Sequence, residues 1–498
     1  MNQFNKQFIQ KLAGLCGSDK IAFHINGISY SYKTLLDIAV EIQEFLPNNS
    51  EDIIGLYVTD DIRTYASILA LWFAGKAYVP LNPRQPRDRH NEILKSINAK
   101  YLISSDPSYA VESINIIYTN EIFPSELVDK PIFIKETPDS FLAYILFTSG
   151  STGKPKGVQI TRGNVAAFID SMDNIGLNIT EKDRCLQPFD LTFDFSVSSY
   201  VIPLVKGASI YTIPLKATKF TYIAQLLEDH HLTVLQMVPS MIRNLLPYLD
   251  EVDLSSVRYN ILCGEALTGK IIKSWHQANE AMVSYNMYGP TEDTVFCSYY
   301  IINRDNIIDP LSNNDIISIG KTFKNNSVIL VDDEQGHINM PEKVGELCLS
   351  GEQLTPGYWR NPKENEAKFF VLNNQRYYRT GDLCFFDKSG NLMFVSRKDF
   401  QVKINGFRVE LEEIENQFFK ISEGKFSVVI PYTNDQGNTE LAMIIEGKEY
   451  DISNHKSDLA NVLPSYEVPN RFLFIKAIPL NQNGKIDRKQ IKEKFNLK

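Results

Sequence analysis

The chain has 498 residues, 43% of them hydrophobic and 22% charged, with a formal net charge of −9. That length exceeds one ordinary core, so two or more domains are expected, and the composition is that of a folded globular protein rather than a disordered one. The acidic balance argues against a general nucleic-acid binder, no apolar run approaches the roughly 20 residues of a membrane span, and the opening stretch MNQFNKQFIQKLAGLCGSDK lacks a signal-peptide core; a cytoplasmic protein is the expectation.

Along the chain, apolar strand-like runs (DIIGLYV, LAYILF, LTVLQMV, VRYNILC) alternate with helix-like segments such as IRTYASILALWFAGKA. That alternation predicts an α/β architecture of layered, largely parallel sheets. His230–His231 is expected to close a helix before LTVLQMV. Near Val395–Asp399 the character changes: SRKDFQVKINGFRVELEEIE predicts a charged turn, a short strand pair and a helix from near Glu412. The boundary is placed there, giving a large N-terminal domain over 1–398 and a small, mobile α+β domain over 399–498. From Phe400 to Lys498 there are 14 basic and 14 acidic residues, so the net negative charge belongs to the large part. The six cysteines are scattered, unlike a disulfide framework or a thiolate zinc site, and most are expected to be small buried hydrophobes.

One segment carries more specific chemistry. In YILFTSGSTGKPKGV (Tyr144–Val158) a buried strand runs into ten residues with three Gly, two Thr, two Ser and two Lys. Glycines allow close backbone approach to an anion, hydroxyls and amides converge on phosphate oxygens, and Lys154 and Lys156 supply charge. The spacing is not that of a Walker loop, which leads directly into a helix. TSGSTGKPKG resembles the phosphate loop of the adenylate-forming superfamily, which includes acyl-CoA synthetases, firefly luciferase and adenylation domains of nonribosomal peptide synthesis. Eight further family-like motifs stand in the family's order around it: YVPLNP before the loop, then CGEAL, NMYGPTE, GELCLSGEQL, YRTGDL, RKDFQVKINGFRVE, LPSYEVP and NQNGKIDR.

This resemblance implies an enzyme that joins a carboxylate to the α-phosphorus of ATP, expels pyrophosphate and then passes the acyl group to a thiol. It implies ATP and Mg²⁺ as cofactors. Thr148, Ser149, Gly150, Ser151, Thr152, Gly153 and Lys156 would hold phosphates; Gly264, Glu265, Asn286 and Gly289 would lie at the ATP site. Glu292 would bind Mg²⁺, a hard cation suited to a carboxylate plus phosphate oxygens. Thr291 would contact the α-phosphate, Tyr288 would stack near adenine, Asp382 would accept both ribose hydroxyls, and Arg397 would reach the ribose or phosphates. Lys485, on the Gly-containing loop NQNGKIDR, would insert between the two reacting anions. A compact ammonium with three donors matches the charge that develops there. For the second half-reaction, Asp399 would be the hinge, Lys403 would turn toward the active site, and Gly406 would let a pantetheine thiol approach. Two departures from the family pattern are Ser396 before Arg397, where Gly is usual, and Glu412, where Gly is frequent.

The acid is read from FDLTFDFSV, which contains two Phe-Asp pairs. Asp194 is chosen over Asp190 because Ser196–Val197 follow it as in amino-acid-activating relatives. There the matching aspartate pairs with the substrate's α-ammonium, a charge a fatty acid lacks. The competing role for Asp194 is a helix N-cap. Carrying the pocket over adds Phe195, Ser198, Gln236, Ile261, Cys263, Met287, Val295 and Phe296. Two phenylalanines and a methionine leave room for a small side chain, and CGE is similar to D-alanine–carrier protein ligases; the expected substrate is alanine or glycine. No Gly-Gly-x-Ser-like phosphopantetheine site follows Lys485, so a phosphopantetheinylated carrier protein acting in trans is the expected partner. An acyl- or aryl-CoA synthetase acting on a non-amino acid is the alternative. A catalytically silent nucleotide-binding scaffold would have no use for both Lys403 and Lys485.

Overall fold

The computed structural model describes residues 2–47, 52–122, 130–149, 155–303, 315–332, 336–338, 340–399, 401–480 and 486–497. The chain is mixed α/β and divides into two compact units, one of Met1–Asn82, Ser96–Leu146 and Gly157–Lys398, the other of Pro83–Lys95, Phe147–Lys156 and Asp399–Lys498. The second unit thus also takes two segments that the sequence assigns to the N-terminal part. Among the described residues no helix is long and apolar enough to cross a membrane.

Among the described residues, the first unit is built on sheets of nine, six and five strands. In the nine-stranded sheet, Arg184–Gln187, Val234–Met237, Tyr259–Leu262 and Val283–Tyr288 run parallel in consecutive pairs. These short, almost wholly buried strands are what a sheet covered on both faces requires. Local signals set the flanking helices. Asp61 accepts from the Arg63 amide at 2.9 Å to start Ile62–Phe73, and Thr161 with Asn164 forms a reciprocal capping box at Arg162–Asp173. His231, in the left-handed region at φ 50°, closes the helix Lys219–His230 before the strand of LTVLQMV, as its sequence position predicts. Five of the six cysteines are buried, Cys16 is exposed, and all are free thiols.

The second unit has its own core. Ser427–Thr433 and Thr439–Glu446 pair antiparallel, and Arg471–Ile475 joins in parallel. Alternation along these strands feeds two clusters. Val429, Leu441 and Met443 pack with Leu411, Ile414 and Phe418, while Val428, Ile430 and Ala442 pack with Ile491 and Leu497. The helix expected near Glu412 spans Leu411–Ile421.

A buried carboxyl makes this unit sensitive to pH. Arg89 Nη1 lies 2.7 Å from Glu413 Oε1, and Glu467 is buried beside them with both oxygens lacking a hydrogen-bond partner. Burial, then Glu413, push the Glu467 carboxyl up to about 8, against the pull of Arg89 and with a smaller push from Glu410. The stabilising proton is therefore fully present below about 4.5 and lost as pH rises through about 8. Glu467→Gln is expected to remove on the order of 3 kcal/mol of this stability loss, so melting temperature should fall less from pH 5 to pH 9 than in the unaltered chain. Parallel melting curves would show the assignment to be mistaken.

Candidate active site

The strand ladder arranges one group of predicted residues. Gln236 registers with Ile261, and Ile261 with Tyr285, so their side chains share a face. The two-residue period puts Cys263 and Met287 on that face as well. All are buried. The helix Phe195–Lys206 meets the same face, since Gln236 Nε2 donates to the Ser198 carbonyl at 3.5 Å. Gly207, at φ 70°, ends that helix.

Asp194 occupies the N-cap position of this helix, yet its side chain makes no capping hydrogen bond. It is 7% exposed, and its charge is felt by the Tyr144 phenol, which burial first, then Tyr78, then Asp194 push well above the ordinary tyrosine range. The Tyr144 hydroxyl is buried without a hydrogen-bond partner. Phe195 stacks on Phe189 at 4.2 Å and meets Phe296 edge-on at 5.0 Å, forming an aromatic wall.

After Tyr288 the backbone turns tightly. A Cβ at Gly289 would come within 2.5 Å of the Val295 carbonyl oxygen and 2.6 Å of Phe296 Cα, so only glycine fits. Thr294 and Val295 both have positive φ (50° and 74°), a costly conformation for β-branched residues. Gln353 holds it: its Nε2 donates to the carbonyls of Phe296 (2.7 Å), Asp293 and Thr294 (both 3.3 Å), while Thr294 Oγ1 donates to the Gln353 carbonyl at 2.6 Å. Thr291 and Glu292 lie on the 3₁₀ turn Thr291–Asp293 at the start of this segment.

Glu292 is fully buried and accepts from the Tyr358 hydroxyl at 2.7 Å. Asp293, also fully buried, has its carboxyl pushed up to about 7 by burial and, less strongly, by Glu292, against hydrogen bonds from Asn326 and Cys297. Two adjacent buried carboxyl groups suit a hard divalent cation, which lowers the cost of their charge. Among the described residues no cluster of three metal-ligating side chains occurs, and Mg²⁺ needs none, because it is held by one or two carboxylates plus phosphates and water. Glu292 therefore fits the role of Mg²⁺ ligand, and the ion bound there would neutralise phosphate charge.

Asp382 and Arg397 sit opposite each other on paired strands, with Arg397 Nη1 donating to Asp382 Oδ1 at 2.7 Å. Tyr288 donates its hydroxyl to the other Asp382 oxygen, and burial followed by Asp382 push this phenol well up. The structure thus joins Tyr288, Asp382 and Arg397 into one polar chain. Other predicted ATP-site residues have structural partners. Asn286 Nδ2 donates to the Ser318 carbonyl at 2.7 Å, and Glu265 accepts from the Ser240 amide (2.9 Å) and hydroxyl (2.8 Å). Gly264 adopts φ 91°, which explains its identity.

In the second unit, Gly150, Ser151, Thr152, Gly153 and Lys154 lie outside the described residues, as does Lys485. The described ends of the phosphate loop touch the hairpin of Gln401–Ile404 and Phe407–Glu410: Ser149 Oγ donates to the Arg408 carbonyl at 2.8 Å, and buried Lys156 lies 3.6 Å from Glu410. Thr148 Oγ1 reaches the Lys156 carbonyl at 3.5 Å. Lys403 pairs across the hairpin with Arg408, and Asn405–Gly406 make its two-residue turn with φ 50° and 85°. That turn demands positive φ at both residues, so Gly406 has a backbone role of its own. Asp399 accepts from the Gln401 amide at 3.3 Å.

Tyr358, Gln353, Asp293 and Tyr144 are absent from the sequence-derived site. Gln353 stands inside a motif recognised for other residues, whereas Tyr358 contacts Glu292 from 66 positions away and leaves no local pattern.

A family model described as AMP-binding enzyme matches residues 13–359. Gramicidin S synthase 1 of Brevibacillus brevis is 30% identical over 97% of this chain, which spans 43% of that protein's length. Tyrocidine synthase 2 of Brevibacillus parabrevis is 30% identical over 89% of this chain, which spans 12% of it, so the chain covers less than half of each of these large relatives. Zwittermicin A synthase ZmaJ of Bacillus cereus is 30% identical, with 95% of this chain and 91% of that protein aligned. Among solved structures, the Vibrio cholerae adenylation domain AlmE, determined with glycyl-adenosine-5′-phosphate, superposes with a TM-score of 0.84 at 24% identity, covering 98% of this chain and 97% of AlmE; it shows the shared fold. Adenylation domains of the matched family use ATP and Mg²⁺. With a phosphate-loop sequence, a buried Glu292 and a family match over most of its length, the chain belongs to the AMP-binding enzyme family.

Proposed function

We propose that this chain activates a small amino acid as its aminoacyl-adenylate, releasing pyrophosphate, and then transfers it to the phosphopantetheine thiol of a separate carrier protein. The observation that carries the amino-acid part is Asp194, a buried carboxylate at a helix start that it does not cap. An α-ammonium requires such a countercharge, and a plain acyl chain is poorly tolerated beside one. The other aspartate of FDLTFDFSV supports the choice, because Asp190 accepts from the Thr192 amide (2.9 Å) and hydroxyl (2.7 Å) and from Asn82, a local turn role.

In this reading the carboxylate of the amino acid attacks the α-phosphorus while Glu292, with Mg²⁺, and Lys485 offset the repulsion between two anions. Asp382 takes the ribose hydroxyls. Residues 399–498 form the small mobile domain, Asp399 is its hinge, and its turning exchanges Lys485 for the hairpin of Lys403 and Gly406. One site thereby serves two reactions in succession.

The experiment is ATP–pyrophosphate exchange over D-alanine, L-alanine, glycine, serine, threonine, proline and carboxylic acids without an amino group. Amino-acid-dependent exchange is the expected outcome. Exchange restricted to acids lacking the amino group would remove Asp194 from its role and favour a CoA ligase.

A further inference from the structure

We propose that the amino acid activated here carries a hydroxyl on a short side chain, recognised by Gln236 and Ser198. The inference rests on the reading of this site as an amino-acid pocket and narrows it. Gln236 and Ser198 are both wholly buried. Neither Gln236 Oε1 nor Ser198 Oγ has a hydrogen-bond partner in the structure. Buried polar atoms are nearly always paired, and leaving one unpaired costs roughly 1–3 kcal/mol. Two such atoms on elements that meet through the Gln236–Ser198 contact call for a common explanation.

Their placement supplies it. Ser198 lies four residues after Asp194, hence on the same helix face one turn further in. Gln236 turns its amide N–H toward the Ser198 carbonyl, so its acceptor oxygen is the end left to a ligand. The next residue shows that a serine in this helix can satisfy itself: Ser199 Oγ reaches the Ser196 carbonyl at 2.8 Å and Gln187 Oε1 at 2.9 Å. Ser198 makes no such bond.

A hydroxyl satisfies both orphans together, donating to Gln236 Oε1 and accepting from the Ser198 hydroxyl. A methyl group satisfies neither. A carboxylate would set negative charge against Gln236 Oε1, and buried Phe195, Met287 and Phe296 exclude a long side chain. Serine or threonine fits this chemistry better than the alanine or glycine suggested by the resemblance around Cys263.

The test is ATP–pyrophosphate exchange with isosteric pairs, serine against 2-aminobutyrate and threonine against valine, with alanine and glycine alongside. The hydroxyl member of at least one pair should lead every other amino acid, with kcat/KM about 50-fold or more above its isostere. Gln236→Met should reduce that ratio to about fivefold or less. Competition binding of the seryl and 2-aminobutyryl sulfamoyl-adenosines to the unaltered chain reads the same preference without a variant or turnover. Equal use of both members, or a lead for alanine, glycine or any other substrate without a side-chain hydroxyl, overturns the proposal while leaving amino-acid activation standing. Exchange with no amino acid at all removes both.

Discussion

Replacing Asp194 by alanine is expected to lower kcat/KM for amino-acid-dependent pyrophosphate exchange by about 10²–10³-fold. Asp194 is 7% exposed, so an ammonium entering beside it gives up its water for this one carboxylate. Truncating one partner of a buried charge pair costs roughly 2–5 kcal/mol, much of it the penalty of leaving the other charge unpaired. Asp194→Asn keeps shape and hydrogen bonding but removes the charge, and should lose nearly as much. A purely structural role predicts a different pattern, lowered melting temperatures in both variants with activity per folded molecule unchanged. Large destabilisation with unchanged activity per folded molecule would transfer Asp194 from recognition to architecture.

The second large effect is a division between two lysines. Lys485→Ala should reduce adenylate formation by about 10³-fold or more while leaving thioester transfer from supplied adenylate largely intact; Lys403→Ala should do the reverse. The reason is electrostatic. Attack of a carboxylate on a triphosphate brings anions together, so a cation at the bond being made acts on that step alone. In the proposed second step, thiol transfer begins after pyrophosphate has left and uses the hairpin of Gln401–Ile404 and Phe407–Glu410. Single-turnover assays of the two half-reactions separate these steps. Equal loss of both steps in either variant would show that the lysines do not work in succession.

Much of this molecule is legible in order along the chain. Alternating apolar runs gave parallel strands, and helix ends such as His231 and Gly207 fell where αL-tolerant residues stand. Nine motifs in sequence named the family, because each packs several chemically constrained residues into one short string. Glycine at 289 belongs to this class, since the close approach of residues 295–296 forbids any side chain.

Partnerships between distant residues belong to the folded chain. Tyr358 meets Glu292, Gln353 restrains the strained pair Thr294–Val295, and Asn286 and Glu265 hold the backbone of Ser318 and Ser240. None follows from spacing, because strand register and burial decide which side chains meet. The choice of substrate shows the difference most clearly. The resemblance read from the sequence assigns an aspartate, a serine and a glutamine to the substrate pocket. Only tertiary packing decided which of their polar atoms meet a partner inside the protein and which do not, because a buried atom's hydrogen bonds depend on neighbours brought from other elements.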